Sequence, residues 1–147
     1  MNMRITFSVL LIFSALIFTN CQDKSMESFT MDTPFMLNVG EMNLNPDALM
    51  TLNFVEMKED SRCPEDVTCM WEGRVVVVME AVLEGKTKET FLLSTSNRMK
   101  DAGTAYTVGN YQIQMVSVKP SRGAQANEIP KDSYQVEVKV VAAQNTQ

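Results

Sequence analysis

Fourteen residues, Asp60-Ser61-Arg62-Cys63-Pro64-Glu65-Asp66-Val67-Thr68-Cys69-Met70-Trp71-Glu72-Gly73, hold the chain's single tryptophan and two of its three cysteines. Five residues separate Cys63 from Cys69. That spacing can close a compact loop and suits an oxidising compartment. Closing about seven residues contributes roughly 2 kcal/mol in the chain-entropy picture. The spacing excludes a thioredoxin-like C-x-x-C pair. Two thiolates without further Cys or His ligands also make a poor zinc site. Two readings remain. In the first, the segment is a stapled connection between core strands. Trp71 then covers the sulfurs or caps one end of the core, and Arg62 lies over the indole or bonds loop carbonyls. Asp60 and Ser61 bond loop amides, and Gly73 supplies an unusual backbone angle. In the second, Asp60, Arg62 and Trp71 belong to a rigid surface presented to a partner, Trp and Arg being frequent interface anchors.

The rest of the composition removes most catalytic chemistry. The 147 residues include no histidine. Ser-His-Asp and Cys-His nucleophile systems, His-ligated zinc and blue copper are therefore excluded. General acid–base work would fall on carboxylates, Lys or Tyr. No S-x-x-K is present, and nothing in the sequence places two carboxylates across a cleft. We expect no enzyme, no catalytic residue and no cofactor. The formal charge is −5, from 13 basic and 18 acidic side chains, and there is no basic run. This argues against a nucleic-acid partner. Acidic residues crowd the motif (Glu56, Glu59, Asp60, Glu65, Asp66, Glu72), but no D-x-D-x-D-G loop supplies the six to eight oxygens of a calcium site. A solvated acidic face is expected. Met26, Met31, Met36 and Met42 recur every five or six residues without the His or Cys help that copper sites use. Adaptable core filler is the expectation for the methionines, and no metal site is assigned.

The first twenty residues read as an export signal. Arg4 precedes an almost wholly apolar run over residues 5–18, too short to span a bilayer. The run ends at Ile17-Phe18-Thr19-Asn20-Cys21. A cysteine directly after such a run resembles a bacterial lipobox, although Phe18 and Asn20 depart from the strict pattern of small residues. The resemblance implies removal of residues 1–20, diacylglyceryl modification of Cys21 and attachment to a membrane through that lipid. Cys63 and Cys69 are then left as a pair. Residues 21–34 lack a period and contain Ser, Thr, Asp and Pro. They read as a flexible tether that lets the domain stand off the membrane.

The elements that must position the motif are short strands. Phe35–Val39 ends at Gly40, and Leu49–Met57 follows the Asn45-Pro46-Asp47 turn signal. Arg74–Leu83 is apolar on both faces, the mark of a strand in the middle of a sheet. Glu84-Gly85-Lys86-Thr87 signals a hairpin into Glu89–Ser94. Tyr111–Lys119 and Tyr134–Val141 alternate with period two, and Pro120 stops the former. Asn97–Ala105 has room for one helical turn. These runs predict an all-β domain over 35–147, a small antiparallel β-sandwich or barrel of about seven strands.

With these elements in place, the D-S-R-C-P…C-x-W-x-G string resembles the signature of a group of bacterial secreted proteins and lipoproteins. A Tyr-led strand ending in Val-x-Pro (Tyr111 to Pro120) and a closing strand introduced by Tyr134 extend the resemblance over about 49–141. Glu72 stands where a small or variable residue is expected. The resemblance implies fold and location and brings no activity. The expectation is an envelope lipoprotein at the outer membrane, a non-catalytic binding or interaction module with an envelope protein partner. The alternatives are an inhibitor or small-ligand carrier using the stapled loop, and a calcium- or copper-responsive module.

Overall fold

The computed structural model describes residues 26–98, 100–123 and 129–144. The expected signal peptide 1–20 and the expected lipidation site Cys21 lie outside them. Among the described residues, nine strands form two sheets: β1 (Glu27–Ser28), β2 (Phe35–Asn38), β3 (Met42–Asn45), β4 (Met50–Asp60), β5 (Val75–Leu83), β6 (Glu89–Ser94), β7 (Ala105–Val108), β8 (Tyr111–Lys119) and β9 (Gln135–Ala142). One sheet has the order β1-β3-β4-β5-β6 and the other β2-β9-β8-β7. All pairs are antiparallel except β1–β3. The fold is an all-β sandwich, as the alternation predicts.

The period-two pattern works because each strand buries one face. Leu52, Phe54, Val77, Met79, Leu93, Ile113, Val136, Val138 and Val140 all point into the core between the sheets. β5 lies between β4 and β6, the interior place expected of it. Its second face is only partly covered: Val76 is buried, whereas Val78 and Val82 are half-buried.

All six strong strand runs are present. The additional strands β1, β3 and β7 have only two to four residues, too short for a readable period, and the alternation of β3 points its apolar residues the wrong way. β3 reads Met-Asn-Leu-Asn, and the two residues it buries are Asn43 and Asn45. Asn45 earns its place with both ends of its amide. Nδ2 donates to the Phe29 carbonyl at 2.9 Å, and Oδ1 accepts the Ala48 amide of the Asn45-Pro46-Asp47 turn at 2.6 Å.

The domain begins before residue 35. Glu27 and Ser28 pair with β3, and the Phe29 amide donates to Leu44 O at 3.1 Å. Phe29 is buried and stacks on Phe35 at 4.4 Å between ring centroids. Asp32 N then donates to Val140 O in the other sheet at 2.8 Å. The described part of the expected tether is thus a built edge of the sandwich. The reason is the single aromatic Phe29, whose burial outweighs the polar composition around it.

Asn97–Ala105 is also not a helical turn. Among its described residues, Gly103 bridges to Leu93. Its carbonyl accepts Ser94 N at 2.7 Å, while Thr104 O accepts Met115 N at 2.8 Å. This segment closes one side of the sandwich by bonding both sheets, beside a Phe91–Tyr106 stack at 4.3 Å.

Candidate functional site

The motif is the connection between β4 and β5, and it prolongs their ladder. Ser61 N donates to Arg74 O at 2.8 Å and Cys63 N to Glu72 O at 2.9 Å. The Cys63–Cys69 disulfide closes the end, with the Cα atoms 5.9 Å apart. Pro64 O accepts Val67 N at 3.3 Å inside the closed loop. The result is a two-stranded stalk with a stapled tip.

The base of the stalk is a polar cluster at the end of the core. Two register shifts in the β4–β5 pairing, at Phe54/Glu56 and Met57/Glu59, bring Asp60 opposite Val75. The Asp60 side chain is 8% exposed. Its carboxylate accepts Arg62 Nη2 at 2.7 Å, Arg62 Nε at 2.9 Å and the Arg62 amide at 3.1 Å. The Tyr134 hydroxyl donates to it at 2.8 Å. Arg62 spends its remaining donors on Val118 O at 3.1 Å and Pro120 O at 2.8 Å. Arg122 Nη1 donates to Asp60 O and Arg62 O at 3.2 and 3.3 Å. Of the two roles read for Arg62 in the stapled connection, bonding carbonyls is the one realised. Burial raises the pKa of Asp60, but the hydrogen bonds from Arg62 and Tyr134 outweigh it and hold the carboxyl below its ordinary value. Burial and the bond to Asp60 push Tyr134 up to about 12.

Gly73 has φ +68°, and a Cβ there would overlap the Ser61 carbonyl. Ser61 cannot readily yield, because its hydroxyl lies 3.1 Å from both Glu59 Oε1 and the Arg74 amide, and its own amide is bonded to Arg74 O. Arg74 completes the stalk's outer face with ion pairs to Glu59 at 3.1 Å and Asp101 at 3.3 Å. Two of the acidic residues near the motif are therefore tied to separate arginines, Asp60 to Arg62 and Glu59 to Arg74. Among the described residues no group of three or more His, Cys, Asp or Glu could hold a metal ion.

The tip is different in kind. Trp71 is 70% exposed, Met70 94% and Val67 48%. Trp71 does not cap the core. It lines an open groove of about 440 Å³ with Cys63, Cys69, Val67 and Met70, facing Arg98. Trp71 lies on the loop side of the last ladder bond, Cys63 N to Glu72 O, and outside the core, while the Glu65 amide ties the loop to Arg122 O at 2.9 Å.

Of the three residues proposed for partner contact, the structure separates Trp71 from the other two. Asp60 and Arg62 have their polar groups bonded inside the base; Trp71 stands at the tip. Sequence reasoning missed Val67 and Met70, which lack any distinguishing pattern, and Arg122. Tyr134 and the Val118-x-Pro120 end of β8 were visible as separate pieces, and they meet at Asp60 and Arg62.

The staple's contribution is measurable. Cys63→Ser/Cys69→Ser should lower stability by about 2 kcal/mol in urea melts. Because the base lies outside the closed loop, the double variant should still fold.

Comparison with protein-family models, curated proteins and solved structures finds no match.

Proposed function

We propose that the protein is a non-catalytic binding module of the bacterial cell envelope, held at a membrane by lipid on Cys21 and making contact through the Cys63–Cys69 loop. One observation carries the reading. Three apolar side chains, Val67, Met70 and Trp71, stand in water on a disulfide-closed tip whose base is fixed by a buried ion pair. Trp71 shares a groove with both cysteines, yet most of its indole surface is open to solvent, more than covering the sulfurs requires. Holding apolar groups ready on a rigid loop lowers the ordering cost of binding. The export signal and lipobox support the location, and the disulfide suits an oxidising compartment.

Trp71→Ala should change stability by less than about 0.5 kcal/mol, since the side chain has little packing to lose. The contact itself is tested with a photoreactive residue at position 70, compared with one at Lys86 in the β5–β6 turn at the opposite pole. In intact envelopes, position 70 should crosslink and position 86 should not. Trp71→Ala should remove the crosslink. Equal labelling from both positions, or none from either, refutes the loop as the contact surface.

A further inference from the structure

We infer that the surface engaged by the tip is the lipid bilayer that carries the protein's own anchor, with Val67, Met70 and Trp71 seated in its interfacial layer. This deepens the reading above and rests on the loop as contact surface and on acylation of Cys21.

Chain direction is the first argument. β4 runs from Met50 to Asp60 and leads into the loop. β3 is antiparallel to β4, and β1 is parallel to β3. β1 therefore runs away from the loop, and its N-terminal end at Glu27 faces the loop's pole. Cys21 lies only five residues before Met26. Five residues reach at most about 18 Å. That is roughly the distance along the sheet from the level of Met26 to the end of β4. An acyl chain on Cys21 thus holds the domain against its membrane, and the loop at that pole projects at least as far as the attachment point.

The size and chemistry of the tip are the second. Its three apolar side chains expose on the order of 400 Å². A stable protein interface needs about 800 Å² on each side. A small tip suffices when a lipid anchor on the same chain supplies the effective concentration. Tryptophan is a favoured side chain at the membrane–water boundary. The loop's charge sets the lipid preference. Glu65, Asp66 and Glu72 flank the apolar residues and no Lys or Arg lies between Cys63 and Gly73, so the acids outnumber Arg98, the cation that lines the groove. Zwitterionic headgroups are accepted and anionic ones repel.

The sole tryptophan is its own reporter. The acylated protein is reconstituted into phosphatidylethanolamine/phosphatidylcholine vesicles whose acyl chains are brominated near the headgroup. Trp71 emission should fall about twofold relative to unbrominated vesicles, as for an interfacially seated indole. Raising the phosphatidylglycerol fraction, or Met70→Glu at the most exposed position, should reverse most of the loss. Emission untouched by brominated lipid, with position 70 still crosslinking to protein in native envelopes, would overturn the inference while leaving the loop as a contact surface. The occupant would then be another protein or a second copy. Emission untouched by brominated lipid with no crosslink from position 70 would overturn the inference and the contact reading together. Failure of the protein to partition with vesicles would remove the anchor on which the inference depends.

Discussion

Asp60→Asn should destabilise the folded domain by about 3 kcal/mol, because it strands a largely buried guanidinium without its counter-charge. The Arg62 side chain is 19% exposed and the Asp60 side chain 8%. Three donors of Arg62 and the Tyr134 hydroxyl converge on this carboxylate. An asparagine amide would turn N–H groups toward groups that also donate. Equilibrium urea denaturation checks the magnitude; a loss under about 1 kcal/mol would show that the cluster is solvated rather than structural.

The same residue contributes to the pH response, beside the carboxylates Glu59, Glu80 and Asp101 that their cationic partners also hold low. Its folded pKa is depressed, so the unfolded chain binds more protons over the interval between the two values, and stability rises with pH there. The contribution is complete above the unfolded value near 4 and disappears as the pH falls through the depressed folded value. Tyr134 gives the opposite limb. Its folded pKa is raised, so its contribution is complete below about 10 and is lost as the pH rises through about 12. Asp60→Asn should flatten the acid limb and Tyr134→Phe the alkaline one. If either variant retains the wild-type limb, other groups are responsible for it.

Gly73→Val should cost about 3 kcal/mol or more, from two sources that add. The left-handed φ of +68° is strained for any side chain and severe for a β-branched one. The new Cβ also meets the Ser61 carbonyl. Gly85 is the control. It has φ +71°, yet nothing lies within 4 Å of its absent Cβ. Gly85→Ala should carry only the backbone strain, about 1 kcal/mol. Equal losses at Gly73→Ala and Gly85→Ala would show that the Ser61 carbonyl moves aside freely and that the stalk is not rigid.

Much of this architecture was legible from periodicity. β5 and β9 bury alternate residues, and burial on one face of a pleated strand writes itself into the sequence as a two-residue repeat. In β8 a register shift at Met115/Ser117 breaks the repeat and brings Val118 rather than Ser117 into the core. β3 could not be read that way, since its buried positions are asparagines, of which Asn45 is held by hydrogen bonds to Phe29 and Ala48. β1 could not be read because a two-residue strand has no period, and its anchor, Phe29, lies just beyond it. The Asn97–Ala105 connection was opaque for a related reason. Its role is to donate carbonyls to two sheets, and backbone bonding carries no side-chain signature.

By itself the sequence determined the all-β class, the strand content, the turn at Gly85, and the pairing of two cysteines within one short segment. It also marked Gly73 as a place for an unusual backbone angle, but the close approach of the Ser61 carbonyl that excludes a side chain there is a tertiary fact. What only the tertiary structure decided is the division of labour inside the motif. Asp60, Ser61, Arg62 and Trp71 are equally conspicuous as residue types. Which of them is structural depends on groups 56 to 74 residues away, the carbonyls of Val118 and Pro120 and the hydroxyl of Tyr134. Those partners reach Asp60 and Arg62 because β8, β9 and the end of β4 meet at one pole. None reaches Trp71, because the β4–β5 hairpin continues past the sandwich and leaves the indole in solvent. Local spacing encodes a loop, whereas long-range pairing decides which of its side chains face inward.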